Sequence, residues 1–278
     1  MTPMDQALLR YGVFRLWAPD LKSAHSLELK QKVGNSLFSY LILQQTESIQ
    51  AREFFQLPID VKRKTTGYSA FDSELIRGDT PIPKESIYFF RGADIQQNPP
   101  PMALRDSINV LHDKWRPLKD TIFSIVSDEI LNSSVPLTGT PQLDTESFGI
   151  NFYDPRQLDN EIAEYNPAHM DTGTLILLIR DDSSHDGLEI ADRLSTSKLG
   201  SKDIGQEASF HPVPANPDEV LVLVGTRLQR LLGRDKVRAC VHRVRGPAPE
   251  RRQEEEPRLS FTIACAASPP PEVQPSNS

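Results

Sequence analysis

The second half of the chain constrains the fold more than anything else in it. After Ser133 come seven short runs: SFGINFYDP, GTLILLIR, GLEIAD, SFHPVP, EVLVLVG, VRACVHRV and LSFTIACAA. Each is rich in β-branched or aromatic residues and is bounded by Gly, Pro, Asp or Asn, which is how short strands read in a sequence. Seven strands within about 130 residues suit an antiparallel sandwich or barrel with helices packed outside. A jelly roll fits, and so does another antiparallel architecture, because periodicity alone does not separate them.

The first half reads differently. YGVFRLW at 11–17 and SLFSYLIL at 36–43 predict strands, and residues 21–33 carry apolar positions at mostly helical spacing. SIQAREFFQL at 48–57 predicts a helix stopped by Pro58, whose ring cannot continue the hydrogen-bond ladder. From 103 to 131, Leu104, Ile108, Leu111, Trp115, Leu118, Ile122, Ile125 and Val126 recur at threes and fours, with Pro117 as a kink. The expected class is α+β. One domain over 1–268 has a helix-rich part to about 133 and a β-rich core from about 134, and the proline-rich tail 269–278 is left unstructured.

Composition removes several function classes. A net charge of −7 lacks the positive field that holds phosphate backbones, which argues against a nucleic-acid partner. The cysteines, Cys240 and Cys265, are too few for a disulfide framework. No signal peptide or membrane span is read, so a cytosolic (cytoplasmic) protein without a membrane partner is expected. No glycine-rich phosphate loop indicates a nucleotide cofactor.

Among six histidines, His169 stands two before Asp171 in AHMDTG, and His242 lies in a second strand-like run, RACVHRV. In a strand, i and i+2 share a face, so His169 and Asp171 could offer nitrogen and oxygen to one ion. With His242 they would make the two-His-one-carboxylate set suited to non-haem Fe(II). One His-x-Asp arises by chance in a chain of this composition, so its weight comes from what surrounds it. Arg258 and Ser260 are again i and i+2, and a guanidinium beside a hydroxyl suits a carboxylate held by two bonds. Taken alone, Arg258 would be a solvated strand-edge residue. Asn151 and Tyr153 share a face in GINFYDP, offering an amide and a phenol, and alone would read as a packed tyrosine with its hydroxyl satisfied at a sheet edge.

The order NxY, HxD, distal His, RxS resembles the Fe(II)/2-oxoglutarate-dependent dioxygenases of the isopenicillin N synthase-like superfamily, over about residues 11–268. NFYDP, HMDTGTLILL, GLEI, DEVLVLVG, VHRV and RLS follow in the family's order. Upstream, FFQLPIDVK looks like its FF-x-LP-x-x-x-K segment, and KES at 84–86 sits where the family often has a similar triplet. The resemblance implies a double-stranded β-helix (jelly-roll) core with flanking N-terminal helices. It implies iron on His169, Asp171 and His242, the distal carboxylate of 2-oxoglutarate on Arg258 and Ser260, and a cosubstrate site lined by Asn151 and Tyr153. It further implies reaction with O2 to give succinate and CO2 while a small natural-product-like substrate of secondary metabolism, expected to be apolar, is hydroxylated, desaturated or cyclised. Asp171 disfavours halogenation. The chain departs from the family in its short N-terminus, in DPRQLDN where plant members often place a cysteine, and in lacking an Asn-Gly turn before His242.

Other readings stand beside this one: an oxidase of the same superfamily without 2-oxoglutarate, a hydrolytic zinc site, and a non-catalytic jelly-roll binding protein. The zinc reading leaves Arg258, Ser260, Asn151 and Tyr153 without a reason. Cys240 is expected to be a small buried residue, His185 a solvated turn residue, and His211 without a role. Tyr68, Phe71, Tyr88, Phe89 and Phe90 lie in expected irregular segments that the resemblance places near the barrel mouth, with core or lid packing as their default reading.

Overall fold

A computed structural model of the protein describes residues 10, 12–17, 49–76, 80–90, 99–106, 108–109, 147–159, 163–180, 187–192, 209–214 and 219–265. Its architecture is mostly antiparallel β-sheet with few helices.

The strands are β1 (Val13–Trp17), β2 (Tyr68–Ser69), β3 (Leu75–Ile76), β4 (Thr80–Pro81), β5 (Glu85–Phe90), β6 (Ser147–Tyr153) and β7 (Glu164–His169). They continue with β8 (Leu175–Arg180), β9 (Leu188–Ala191), β10 (Phe210–Pro212), β11 (Glu219–Val224), β12 (His242–Arg245) and β13 (Arg258–Cys265). A seven-stranded sheet runs β1-β11-β8-β13-β6-β5-β2, a four-stranded sheet runs β10-β9-β12-β7, and β3 and β4 form a small hairpin.

The period of two explains why the large sheet has two buried faces. Leu175, Leu177 and Ile179 of β8, Val220, Val222 and Val224 of β11, and Leu259, Phe261 and Ile263 of β13 join one cluster. Ala51, Phe54 and Phe55 of the helix over 49–55, with Leu104 and Ile108, belong to the same cluster. The alternate residues Ile176, Leu178, Leu221 and Leu223 form another with Tyr165, Leu188, Ile190 and Val244 of the small sheet. A strand covered on both sides carries a continuous apolar run, as LILLI and VLVLV do.

The predicted helix at 48–57 is observed over 49–55, and Phe55 stacks on Phe152 with ring centres 4.8 Å apart. Pro58 ends it, as expected, but then serves as N-cap of a further short helix, Ile59–Lys64. Lys62 of that helix is buried and donates to the Phe55 carbonyl at 2.9 Å and to Glu85 of β5. Tyr68 also donates to Glu85. The FF-x-LP-x-x-x-K segment therefore pins the outer helices to β5.

Most predicted strands are observed, some trimmed. VRACVHRV becomes a strand only from His242. β7 is a strand that hydrophobic patterning did not single out, because EYNPAH is polar and contains Pro167. Its place at an edge of the small sheet tolerates a residue without an N–H. Tyr88 and Phe89 lie in regular strand β5, a correction to the irregular segment expected there. The predicted elements at 21–33 and 36–43, most of the 103–131 helix, the tail, and His25, His112 and His185 lie outside the described residues. Among the described residues no helix is long and apolar enough to cross a membrane.

Candidate active site

His169 closes β7 and His242 opens β12, and the two are register partners between these antiparallel strands. Their ring centres stand 4.2 Å apart. Asp171 does not share a strand with His169, contrary to the sequence expectation, but follows just beyond the end of β7. It still turns to the same point: its oxygens are 3.6 Å from His169 Nε2 and 3.7 Å from His242 Nε2. One potential ligand atom from each residue lies within 4.8 Å of the others. His169 Nδ1 is 2.8 Å from the Pro167 carbonyl. A carbonyl can only accept, so Nδ1 carries the proton and Nε2 presents its lone pair to the shared point.

The loop after Asp171 is clasped by main-chain bonds. Thr226 N–H donates to the Asp171 carbonyl at 2.8 Å and Arg227 N–H to Gly173 at 3.2 Å. Gly225 N–H donates to Thr174 at 3.1 Å, and Thr174 N–H to Cys265 at 2.7 Å. A Cβ on Gly225 would overlap the Gly173 carbonyl, so glycine is what lets the two segments approach this closely. Gly225 was not singled out in the sequence.

Electrostatics keep Asp171 ionised and His242 neutral, the states in which each can hold a cation. Burial works against the ionised Asp171, yet His242 and His169 outweigh it and hold the carboxyl well below the usual range. Burial, then His169, pushes His242 down to about 4, leaving a neutral imidazole. Burial would also lower His169, but the neighbouring Asp171 carboxylate raises it.

These three residues line a cavity of about 520 Å³ whose wall also includes Asn151, Tyr153, Arg258 and Ser260. The sequence pairs become cross-strand pairs: Arg258 lies opposite Tyr153, and Ser260 opposite Asn151, between β13 and β6. The Arg258 guanidinium sits 4.8 Å from the centre of the Tyr153 ring. Asn151 Nδ2 reaches Ser260 Oγ at 3.4 Å.

The carbonyl end of Asn151 is occupied by a residue whose part the sequence did not disclose. Lys84, buried, donates to Asn151 Oδ1 at 2.7 Å, Ser86 Oγ at 2.8 Å and Tyr88 OH at 2.9 Å. It also pairs with Glu74 Oε2 at 2.9 Å. Burial opposes the charge on Lys84, but Tyr88, Tyr153 and Glu74 raise its pKa above the ordinary lysine value. Its partners come from different elements, which spacing along the chain does not bring together.

Of the remaining residues, Cys240 is buried between the sheets and His211 is exposed on β10. Tyr88 lines the cavity, whereas Tyr68 and Phe89 pack against the outer core.

No family model matches the chain, and no curated protein does. Solved structures do. A candidate 2OG-Fe(II) oxygenase family protein from Caulobacter crescentus is 22% identical, with 95% of this chain and 80% of that one covered at a TM-score of 0.63. A full-length Neurospora crassa protein, in complex with alpha-KG, is 19% identical over 95% and 78% at a TM-score of 0.64. A further structure of the same Neurospora protein also holds thymine. JOX2, in complex with 2OG, Fe and JA, is 17% identical over 95% and 70% at a TM-score of 0.61. The chain has the fold of the 2OG-Fe(II) oxygenases.

Proposed function

We propose that the protein is an Fe(II)- and 2-oxoglutarate-dependent oxygenase acting on a small molecule, built as one domain around a double-stranded β-helix. The observation that carries this reading is the convergence of His169, Asp171 and His242 on one point at the wall of a cavity. Two imidazole nitrogens and one carboxylate oxygen match the donor set of non-haem Fe(II) and leave further positions for exogenous ligands. The strand orders support the β-helix: β11-β8-β13-β6 in one sheet face β10-β9-β12-β7 in the other, so the chain alternates between sheets for much of its course.

Iron bound there would supply the redox chemistry that couples oxidation of 2-oxoglutarate by O2, giving succinate and CO2, to oxidation of the second substrate. The protein's own residues place the reactants. Arg258, held beside the Tyr153 ring, offers a two-pronged donor to the distal carboxylate of 2-oxoglutarate, and Ser260 adds a hydroxyl on the same strand. Asn151, its carbonyl taken by Lys84 and Ser86, serves by turning its amide nitrogen to Ser260. Buried apolar side chains from both sheets, Leu178, Leu188 and Leu223, line the same cavity and limit water around the reacting groups. A hydrolytic zinc site would have no use for this carboxylate-binding wall. Hydroxylation, desaturation and ring formation all remain within the reading, as does a place in secondary metabolism.

The test is succinate release from 2-oxoglutarate under air with added Fe(II). The wild-type protein should release succinate slowly even without its second substrate, and His169→Ala should fall to the level of a protein-free control. Release by His169→Ala at the wild-type rate would overturn the metal assignment.

A further inference from the structure

The side-chain amide of Asn151 has two possible seatings, and one neighbour decides between them. Asn151 lies on β6 between β5 and β13, with Ser86 Oγ 3.0 Å from its Oδ1 and Ser260 Oγ 3.4 Å from its Nδ2. A hydroxyl can donate or accept. Ser86 and Ser260 would therefore also satisfy the amide turned over, with Nδ2 at Ser86 and Oδ1 at Ser260. Lys84 breaks this symmetry. Its ammonium is a donor that cannot accept, and it stands 2.7 Å from Oδ1. Turned over, the amide would set N–H against N–H at a buried position, where an unmet polar group is costly.

The ammonium is itself held in place. Lys84 donates to Ser86 Oγ at 2.8 Å and to Tyr88 OH at 2.9 Å, and pairs with Glu74 Oε2 at 2.9 Å. Burial opposes its charge, but Tyr88, Tyr153 and Glu74 outweigh burial and keep it protonated. The direction fixed at Lys84 then runs on through the amide, from the Lys84 N–H to Asn151 Oδ1 and from the Asn151 N–H to Ser260 Oγ. A hydroxyl that accepts this bond keeps its own hydrogen for another acceptor. Ser260 shares β13 and the cavity wall with Arg258, where the cosubstrate carboxylate is proposed to bind.

We propose that Lys84 is a positioning residue for 2-oxoglutarate: by fixing which way the Asn151 amide points, it makes Ser260 a donor to the cosubstrate carboxylate. Lys84 acts through Asn151 and not on the reactant itself. This deepens the cosubstrate site proposed above and rests on that reading.

The experiment is a mutant cycle on the full chain, read as the dissociation constant of 2-oxoglutarate. The Fe(II) protein is titrated anaerobically and the visible band of the chelate is followed. The pair variant Lys84→Met/Glu74→Gln removes the lysine together with its counter-ion, so the net charge of the cavity is unchanged. Ser260→Ala should weaken 2-oxoglutarate about tenfold, the loss of a hydrogen bond to a charged group. The pair variant should weaken it about fivefold, because the amide regains two equal seatings and its side-chain freedom. Once Ser260 is alanine the seating of the amide no longer matters. Adding the pair variant to Ser260→Ala should then cost less than about twofold, the coupling expected of residues in one network. Fe(II) affinity, measured against a competing chelator, should change little in all three proteins.

Equal losses from the pair variant with and without Ser260 would overturn the proposal, since a general effect of Lys84 on charge or packing does not depend on that hydroxyl. An unchanged constant in either the pair variant or Ser260→Ala would also overturn it, as would a parallel loss of Fe(II) affinity. Should the pair variant fold poorly, Lys84→Gln takes its place with the same expectations, because a neutral amide can meet either seating of Asn151. Absence of the chelate band in the wild type overturns the proposed function itself. Its presence, with equal losses in the two backgrounds, overturns only the role of Lys84.

Discussion

Arg258 stands directly across β13 and β6 from Tyr153, with its guanidinium carbon 4.8 Å from the centre of the tyrosine ring. Register makes this pair. Once Ser260 opposes Asn151, a period of two brings Arg258 and Tyr153 together on the same face. The ring lies against the guanidinium, whose planar fork suits the carboxylate proposed for it.

Arg258→Ala should therefore raise the 2-oxoglutarate requirement by about one to two orders of magnitude, the cost of losing a charge-assisted bond to a buried carboxylate. Fe(II) affinity, measured against a competing chelator, should change little. Arg258→Lys should recover only part of the loss, because an ammonium lacks the planar fork. An unchanged requirement in Arg258→Ala would remove this residue from the cosubstrate site.

Gly225 bears on the proposed metal site through backbone contact. Its Cβ-free approach to Gly173 permits the bonds that fix the Asp171 loop. Gly225→Ala should displace that loop and weaken Fe(II) binding about tenfold or more, the range seen when residues supporting metal ligands are lost. Chelator competition reads the effect, and an unchanged dissociation constant would show that the loop holds Asp171 without this clasp.

Lys62 and Glu85 are both buried, their side chains 6% and 5% exposed, and the pair joins the outer helices to β5. Lys62→Met should lower stability by about 3–5 kcal/mol, since it leaves a buried carboxylate without its cation. Urea unfolding measures this. The double variant Lys62→Met/Glu85→Gln should be more stable than the single one. If it is no more stable, the cost lies in packing of the lysine stem.

Glu74 links stability to acid. Burial would raise its pKa, but the charge and hydrogen bond of Lys84 bring it below its ordinary value of 4.5. Around and below 4.5 the folded chain thus binds fewer protons at this site than the unfolded chain. The site contributes stability above 4.5, and that contribution is lost as pH falls through the folded value. The stability advantage of wild type over Glu74→Gln, read from urea midpoints, should shrink on acidification below 4.5. A difference independent of pH would mean that Glu74 is not ionised in the pair.

Much of this was legible because it depends on short-range patterns. The runs LILLI and VLVLV declare strands buried on both faces, and the i, i+2 spacings of Asn151 with Tyr153 and of Arg258 with Ser260 survive as shared faces. His169 and Asp171 were rightly brought together for a reason that is only half right, since Asp171 lies past the strand end and is turned inward by its loop. β7 escaped notice because its polar residues and Pro167 suit an edge strand at the rim of a cavity. Lys84, Glu74 and Gly225 were out of reach for a different reason. Their roles come from atoms of several elements meeting across the fold, and nothing in KES or in the glycine after EVLVLV records those partners.

The most direct test of the central claim is an anaerobic titration of the metal-free protein with Fe(II) and then 2-oxoglutarate, followed by visible absorbance. The account predicts a weak charge-transfer band after the second addition, absent in His169→Ala and requiring far more 2-oxoglutarate in Arg258→Ala. Iron bound with no band on adding 2-oxoglutarate, or no iron bound at all, would contradict it.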